Sequence, residues 1–508
     1  MRQGFVVAAV LAAAALCGCE RQTAASSSTD LQPCRLPAVS REVLCGRIEV
    51  RESPLAQDTE NARRIEIHFA VVPALAKNKS ADPVFVLAGG PGQAATQVAG
   101  LTLPLFEQLN ARRDIVFVDQ RGTGKSNPLE CEPRRRTRVT DAVDPHAQIA
   151  ELGQCLRTLP ADTRWYATWV ATRDLDAVRA ALGADRINLW GGSYGTRAAL
   201  DYMRQFPQHV RSVVLDGAAP ADMGLPASFS VDADAALTGL VAACEGDATC
   251  KREYPRLGAD LDALLQRFGR QPVSIDFIDP LSGAPQTIGF TRDALFASLR
   301  APLYAPPLAA ALPHAIARAS QRDYGPLLAL VVSFTGNDAL RLNWGMHFAV
   351  VCAEDLPRID ANARAAASAT RFGTSFVALY DAACKVVPHE PALREFYEPP
   401  QSDAPVLVLS GGLDPATPPR HGESVAARLK NSRHVIAPHL GHGISAQGCA
   451  PELVTRFIRT ASFDRIDGQC LVQLPRPTFF APVQSEAPAA SPLSPDPSPT
   501  RGEGKKRD

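Results

Sequence analysis

Short apolar runs recur along this chain, and they restrict its possible folds more than any other feature. Each run holds five or six residues bounded by Gly, Pro or charge, and the runs lie at 83–88, 114–118, 186–190, 211–215, 405–409 and 433–437. Such runs are typical of parallel strands buried on both faces of a sheet. Residues 64–72 alternate instead, like a half-buried strand. The sequence therefore predicts an α/β fold, in which a mostly parallel central sheet has helices on both faces.

A long segment, residues 221–400, interrupts this rhythm. It is rich in Ala and Leu and mostly helical in pattern, and the strand pattern returns from residue 404. A separate C-terminal domain is one explanation, but the return of strands favours an insertion into one sheet. We interpret residues 221–400 as a helical cap between two parts of the core, 46–220 and 401–475.

The first residues, 1–19, resemble the signal peptide of a bacterial lipoprotein. Their apolar run, 5–16, is too short to cross a bilayer comfortably. Gly18 precedes Cys19, as a small residue precedes the cysteine that receives the lipid. The alternative is an ordinary secretory signal cut within the alanine run 12–15. We expect an exported protein whose Cys19 anchors it to a bacterial membrane on the periplasmic side, with the outer membrane favoured.

Two further segments lack the apolar density to fold. Residues 20–45 begin with a Ser/Thr/Ala/Gln-rich stretch and are interpreted as a flexible tether. Residues 476–508 are rich in Pro, Ser and Ala and are expected to be disordered. Across the chain Lys plus Arg equals Asp plus Glu, at 53 each, so no basic field exists to bind nucleic acid.

Ten cysteines follow the signal, and an even number suits an oxidising compartment. No two of them have Cys-x-x-Cys spacing, so we expect no metal site. Sequence alone leaves the connectivity open. Because the cysteines fall into neighbouring couples, we expect sequential pairing: Cys34–Cys45, Cys131–Cys155, Cys244–Cys250, Cys352–Cys384 and Cys449–Cys470.

The strongest catalytic signal is the G-x-S-x-G motif centred on Ser193, which follows a strand and precedes a helical pattern. A sharp strand-to-helix turn lifts the serine hydroxyl above the sheet edge, and the flanking glycines leave room for the turn. The helix start adds positive potential where negative charge develops. This arrangement predicts Ser193 as a nucleophile.

A serine nucleophile needs a base and an acid, in the chain order Ser, acid, His. Asp414 follows the strand at 405–409, and His442 follows the next strand between two glycines. We therefore predict Asp414 as the acid and His442 as the base. Asp216 is the alternative acid and His439 the alternative base.

An oxyanion also needs hydrogen-bond donors. The backbone N–H of Tyr194, the residue after the nucleophile, is one candidate. The second should come from the Gly-Gly-Pro-Gly loop after the strand at 83–88, where Pro91 has no N–H. Gly90 is our candidate and Gly89 the alternative.

Together these motifs resemble the secreted tripeptidyl-aminopeptidase and prolyl-aminopeptidase branch of the α/β hydrolases. The matching segments span most of residues 83–443 and lie at 89–92, 119–126, 174–183, 192–196, 414–418 and 441–443. The resemblance implies an α/β-hydrolase fold and an exopeptidase whose helical cap covers the site. It also implies a peptide substrate with a free N-terminus and no cofactor.

The resemblance further implies how the substrate amine is held. In relatives, acidic groups of the cap region bind the α-ammonium, and the local match makes Glu354 the candidate and Asp355 its rival. Two departures leave the substrate open. Ala88 stands where prolyl aminopeptidases usually have His, and Val387 precedes Pro388 where Trp is expected.

These observations lead to one main hypothesis and two alternatives. The main hypothesis is an exported aminopeptidase that releases short N-terminal units through a Ser-His-Asp triad and an acyl-enzyme. A carboxylesterase or lipase would use the same triad. An inactive binding lipoprotein is a remote alternative, because all three triad candidates are present.

Overall fold

The computed structural model describes residues 30–55, 62–131, 145–269, 271–279, 282–335 and 341–482. Nine strands form one sheet in the order β1-β2-β3-β5-β4-β6-β7-β10-β11. In this order, every neighbouring pair from β5 to β11 is parallel. The pairs β1–β2, β2–β3 and β3–β5 are antiparallel. The strands are β1 Gln32–Cys34, β2 Val43–Arg51, β3 Arg64–Val72, β4 Val84–Leu87, β5 Ile115–Val118, β6 Ile187–Gly192, β7 Val210–Asp216, β10 Val406–Gly411 and β11 Ser432–Ala437.

Two apolar clusters explain why the strand runs are continuous. Phe85 and Leu87 of β4 belong to one cluster, whereas Val84 and Val86 of the same strand belong to the other. Since side chains alternate across a strand, each cluster covers one face of the sheet. The predicted sheet, mostly parallel and buried on both faces, is confirmed.

Helices outside the cap cover these faces. They are α1 Ala95–Thr102, α2 Glu107–Asn110, α3 Pro145–Leu156, α4 Thr168–Ala181, α5 Tyr194–Gln205, α16 Pro419–Ala426, α17 Ala450–Thr460 and α18 Gln469–Val472. Short 3-10 turns lie outside the cap at Leu103–Phe106, Thr163–Trp165 and Pro207–His209. Three more lie within the cap, at Ala301–Tyr304, Leu356–Arg358 and Arg394–Tyr397.

The cap lies between β7 and β10 and has its own apolar cluster. It is mainly helical, with one antiparallel hairpin formed by β8 Val273–Ile278 and β9 Pro285–Phe290. Its helices are α6 Leu225–Gly246, α7 Ala248–Glu253, α8 Leu257–Arg267, α9 Arg292–Arg300, α10 Pro306–Ala309, α11 Leu312–Ser320, α12 Gly325–Thr335, α13 Trp344–Glu354, α14 Ala361–Ser368 and α15 Ser375–Cys384.

Helix α6 is long and apolar enough to cross a membrane by length and composition alone. Its apolar side chains Leu237, Leu240 and Cys244 are buried among the other cap helices. Burial within a folded domain accounts for this apolar composition.

The structure corrects the predicted tether, residues 20–45. Gln32–Cys34 forms strand β1 on the edge of the sheet, and the Cys34–Cys45 disulfide ties it to β2. A three-residue strand gives no pattern that sequence reasoning can detect, and the cross-link holds it in place. Residues 20–29, like the signal 1–19 with Cys19, lie outside the described residues.

The predicted disordered tail, residues 476–508, also needs correction at its start. Phe480 donates its backbone N–H to the carbonyl of Ala310 at 3.0 Å. The hydroxyl of Tyr254 donates to the carbonyl of Phe480 at 2.7 Å. These contacts hold the first part of the tail against the cap, and residues from 483 onward lie outside the described residues.

All five predicted disulfides are bonded within the described chain: Cys34–Cys45, Cys131–Cys155, Cys244–Cys250, Cys352–Cys384 and Cys449–Cys470. Two of them brace the surroundings of the site. Cys352–Cys384 joins cap helices α13 and α15, and Cys449–Cys470 closes a loop shortly after His442.

Candidate active site

Ser193 lies at the turn between β6 and α5, in a conformation that few L-residues adopt. Its φ is 55° and its ψ is −124°, a strained region that functional sites commonly retain. The two glycines of the motif allow the turn to be this tight. A Cβ at Gly191 would lie 2.4 Å from the carbonyl oxygen of Gly195, and one at Gly195 would lie 2.2 Å from that of Leu87.

Asp414 and His442 lie beyond the carboxyl ends of β10 and β11 and are bonded to each other. The Nδ1–H of His442 donates to Asp414 Oδ2 at 2.7 Å. The hydroxyl of Thr417 donates to the same Oδ2 at 2.8 Å and lies 3.1 Å from His442 Nδ1. The other oxygen of Asp414 accepts the backbone N–H groups of Ala416 and Thr417. Sequence reasoning missed Thr417, although it lies three residues after Asp414.

The carboxylate of Asp216 and the ring of His439 are not part of the bonded Asp414–His442 pair. Asp216 accepts the backbone N–H groups of Ile444 and Ser445, both at 2.8 Å, so it anchors the loop after His442. His439 is exposed. The geometry therefore favours Asp414 and His442 over both alternatives.

The Asp414–His442 pair is electrostatically coupled. Burial disfavours the ionised form of Asp414, but the charge and hydrogen bond of His442 outweigh it and hold the pKa of Asp414 below its usual value. Burial also disfavours protonated His442, but Asp414 outweighs it and raises the pKa of His442 above its usual value. Asp414 is thus an ionised acceptor that stabilises an imidazolium.

A pocket opens in front of Ser193 between the core and the cap. It is lined by Gly90, Ser193, Tyr194, Arg197, Ala219, Met223, Leu225, Phe229, Tyr304, Ala416 and Thr417. Tyr304 also contacts His442, with ring centroids 5.1 Å apart, and its carbonyl accepts the backbone N–H of His442 at 3.0 Å. Ser193 and His442 are not hydrogen-bonded to each other in the described residues, and such catalytic contacts often tighten only with substrate bound.

The predicted oxyanion donors both line this pocket. Gly90 and Tyr194 share its lining with Ser193. Gly89, the alternative donor, approaches the nucleophile closely, since a Cβ there would lie 3.2 Å from the Cβ of Ser193. The pocket lining favours Gly90.

Helix α13 of the cap is bonded to the loop at residues 89–92, which is called the oxyanion loop below. Asn343, at its N-cap, donates its backbone N–H to the carbonyl of Gly92 at 2.8 Å. His347 Nδ1 lies 3.0 Å from the carbonyl oxygen of Pro91, and its Nε2 lies 2.6 Å from the hydroxyl of Tyr380. Because a carbonyl only accepts, Nδ1 carries the proton and Nε2 accepts from Tyr380. Burial lowers the pKa of His347 to about 4, which keeps this tautomer neutral.

Comparison with known proteins places this geometry in a family. A model described as "alpha/beta hydrolase fold" matches residues 82–248, and one described as "TAP-like protein" matches residues 369–470. The chain has the α/β-hydrolase fold and is a hydrolase enzyme. The resemblance drawn from its motifs is thereby confirmed.

Three relatives illustrate the branch to which this hydrolase is similar. It is 25% identical over 466 residues to serine protease Hip1 of Mycobacterium tuberculosis, covering 82% of this chain and 85% of that protein. It is 35% identical over 115 residues to a tripeptidyl aminopeptidase of Streptomyces lividans, covering 20% and 21% of the two chains. It is 28% identical over 140 residues to a proline iminopeptidase of Xylella fastidiosa, covering 28% and 33%.

The two predicted amine-binding carboxylates, Glu354 and Asp355, occupy a different position in the hydrolase. Both are fully buried, and neither lines the pocket in front of Ser193. The guanidinium of Arg197, which does line it, donates to both oxygens of Asp355 at 2.8 and 2.9 Å and to Glu354 at 3.2 Å. The structure therefore leaves these carboxylates no free face for a substrate ammonium.

Glu354 instead supports the turn at Ser193 through Thr168, which contacts Tyr194. It accepts the backbone N–H of Thr168 at 2.6 Å and its hydroxyl at 2.9 Å. The same hydroxyl lies 2.7 Å from that of Tyr194. Burial raises the pKa of Glu354 to about 7, against the lowering effect of Arg197. Only the folded structure joins these residues, because Arg197 and Glu354 are 157 positions apart.

Glu354→Gln tests this supporting role. We expect lower activity on free-amine peptides and neutral esters alike, with a stability loss of about 1–3 kcal/mol from the weakened buried network. Steady-state kinetics on both substrates and thermal unfolding measure these effects. Asp355→Asn is the matched control and should cost more, because it weakens the bidentate partner of Arg197. A loss confined to free-amine peptides would return Glu354 to the ammonium role.

The pH dependence of activity tests the Asp414–His442 pair. A general base must be neutral, so kcat/KM should fall as pH drops through the raised pKa of His442. Asp414→Asn removes the carboxylate that raises this pKa. Its acidic limb should therefore move to lower pH, while the plateau falls by about 10⁴. Profiles of kcat/KM against pH for the wild type and Asp414→Asn measure the shift. A shift also shows that the acidic limb reports the titration of His442 and not that of Glu354, whose pKa is raised to about 7. An unmoved limb would contradict the pairing.

Proposed function

We propose that this hydrolase is an aminopeptidase that releases short N-terminal units from peptides, with Ser193, His442 and Asp414 as its triad. The bonded Asp414–His442 pair beside the strained Ser193 elbow supports the triad. The TAP-like match and the named relatives support the peptide substrate. An esterase would use the same groups, so the substrate amine is the feature that separates the two functions.

The geometry supports a two-step acyl transfer. Ser193 Oγ attacks the scissile carbonyl carbon while His442 Nε2 takes its proton, and Asp414 stabilises the resulting imidazolium. The N–H groups of Tyr194 and Gly90 would receive the negative charge on the oxygen. His442 then gives the proton to the leaving amine as the C–N bond breaks, which leaves an acyl-enzyme. Water, deprotonated by His442, then attacks the ester carbonyl of the acyl-enzyme. As the bond from the carbonyl carbon to Ser193 Oγ breaks, His442 returns the proton to Oγ and the carboxylic acid product leaves.

The cap supports exopeptidase rather than endopeptidase action. Its residues Phe229 and Tyr304 line the same pocket as Ser193, and Tyr304 bonds the backbone of His442. A pocket walled in this way suits a chain end better than the middle of an extended chain. The recognition of a free amine rests on the relatives, since no carboxylate is among the residues that line this pocket.

Substrates that differ only in their N-terminus test the proposed function. We expect tripeptide anilides with a free amine to be hydrolysed, and acetylation to lower kcat/KM about tenfold or more, the value of one hydrogen bond to a charged group. Anilides of one and two residues define the released length, and a short-chain nitrophenyl ester gives the esterase rate. Ser193→Ala is the control and should keep only about 10³-fold catalysis over water. Equal rates on free and acetylated peptides would contradict an aminopeptidase.

We propose that the protein is exported and anchored to a membrane through Cys19. The Gly18-Cys19 pair in the signal-like segment supports lipidation, and the five disulfides fit an oxidising compartment. One acyl chain binds a bilayer only marginally, so a stable anchor requires more than one.

Mass spectrometry of the mature N-terminus tests the anchor. We expect the protein to begin at Cys19, to carry lipid and to sediment with membranes. Cys19→Ser should abolish the lipid and the sedimentation, while the Ser193 activity survives in any folded protein that is recovered. An unmodified N-terminus at another residue would show an ordinary secretory signal instead.

A further inference from the structure

Arg300 ends cap helix α9, and its guanidinium lies among three aromatic rings. Its central carbon is 4.2 Å from the ring centroid of Phe229, 4.9 Å from that of Tyr304 and 5.6 Å from that of Phe376. Nη2 donates to the hydroxyl of Tyr304. The rings favour a cation at this place through their π faces.

The guanidinium of Arg300 has no acidic partner among the described residues, and its buried Nε has no hydrogen-bond partner there. Two fully buried arginines of this protein, in contrast, are paired. Arg121 donates to both oxygens of Asp174, and Arg197 to both oxygens of Asp355. Leaving a buried donor unused is unfavourable, so Arg300 is suited to a partner that arrives from outside.

Two of the three rings around Arg300 belong to the pocket. Phe229 and Tyr304 line it together with Ser193. Tyr304 also contacts the ring of His442 at 5.1 Å. A substrate in this pocket meets two of the rings that surround Arg300, although Arg300 itself is not among the residues that line the pocket. The planar fork of arginine matches a carboxylate in two parallel hydrogen bonds.

We propose that Arg300 binds a carboxylate of the substrate, and that this hydrolase prefers substrates that carry one near the scissile bond. In the proposed aminopeptidase, on which this inference rests, the carboxylate belongs to an Asp or Glu side chain of the released unit. The C-terminal carboxylate of a short peptide has the same chemistry, and the test separates the two sources.

Matched substrate pairs measure the preference. One arm compares tripeptide anilides that carry Glu or Gln at each of the three positions in turn. A second arm compares short peptides with a free or an amidated C-terminus. The wild type should favour the carboxylate about tenfold or more in one arm. Arg300→Met should remove that preference by lowering kcat/KM for the acidic substrate, with little change for its neutral partner.

Two controls separate recognition from folding. Arg292→Met lies on the same helix and removes a similar stack, 5.1 Å from the ring of Phe296, which is not among the pocket residues. This variant should keep the preference. Arg300→Lys keeps the charge without the fork and should keep part of it. Equal losses on acidic and neutral substrates in Arg300→Met would assign Arg300 a purely structural role and overturn the proposal.

A third arm keeps the proposal testable if the aminopeptidase function fails. Nitrophenyl hemisuccinate and nitrophenyl butyrate are esters that differ in a terminal carboxylate. If no peptide is cleaved, the wild type should still favour the hemisuccinate, and Arg300→Met should not. A wild type without preference in all three arms would overturn the carboxylate subsite, whatever the fate of the aminopeptidase proposal.

Discussion

The site depends on how closely the backbone approaches itself at the Ser193 elbow. Gly195 lies against the carbonyl of Leu87 at the end of β4, so the elbow and the oxyanion loop are held side by side by neighbouring parallel strands. This contact leaves no room for a side chain at Gly195, and Ser193 in the same turn has a positive φ of 55°. The sheet register therefore determines where nucleophile and oxyanion donors meet, before any side chain is considered.

The cap also holds parts of the site in place through hydrogen bonds. Helix α13 contacts the oxyanion loop through Asn343 and His347 at its start, and its end supplies Glu354 to the back of the elbow. The loop at Tyr304 holds the backbone of His442. Since three parts of the proposed catalytic site are bonded to the cap, its removal would loosen the site as well as open it.

The parts that sequence predicted are those whose chemistry is local. Ser193 lies in a five-residue motif between a strand and a helix, and the sheet follows from short apolar runs whose two faces are both buried. Sequence could not foresee long-range contacts. The Arg197–Glu354 ion pair joins positions 157 apart, and the contact of His347 with Pro91 joins positions 256 apart. The amine-binding role of Glu354 was inferred from a local match that cannot reveal a buried partner.

Two arginines near the pocket show how pairing decides function. Arg197 is already neutralised by two carboxylates, and with both ionised this buried cluster has an excess of one negative charge. The pKa of Glu354 is raised to about 7, so this carboxyl group can take up a proton and remove the excess negative charge. Arg300 lies among aromatic rings and forms no ion pair within the described residues. An arginine that is ion-paired within the fold contributes to the stability of the fold. An arginine without such a partner is available to pair with a ligand. The unpaired cation is therefore the better guide to what the pocket selects.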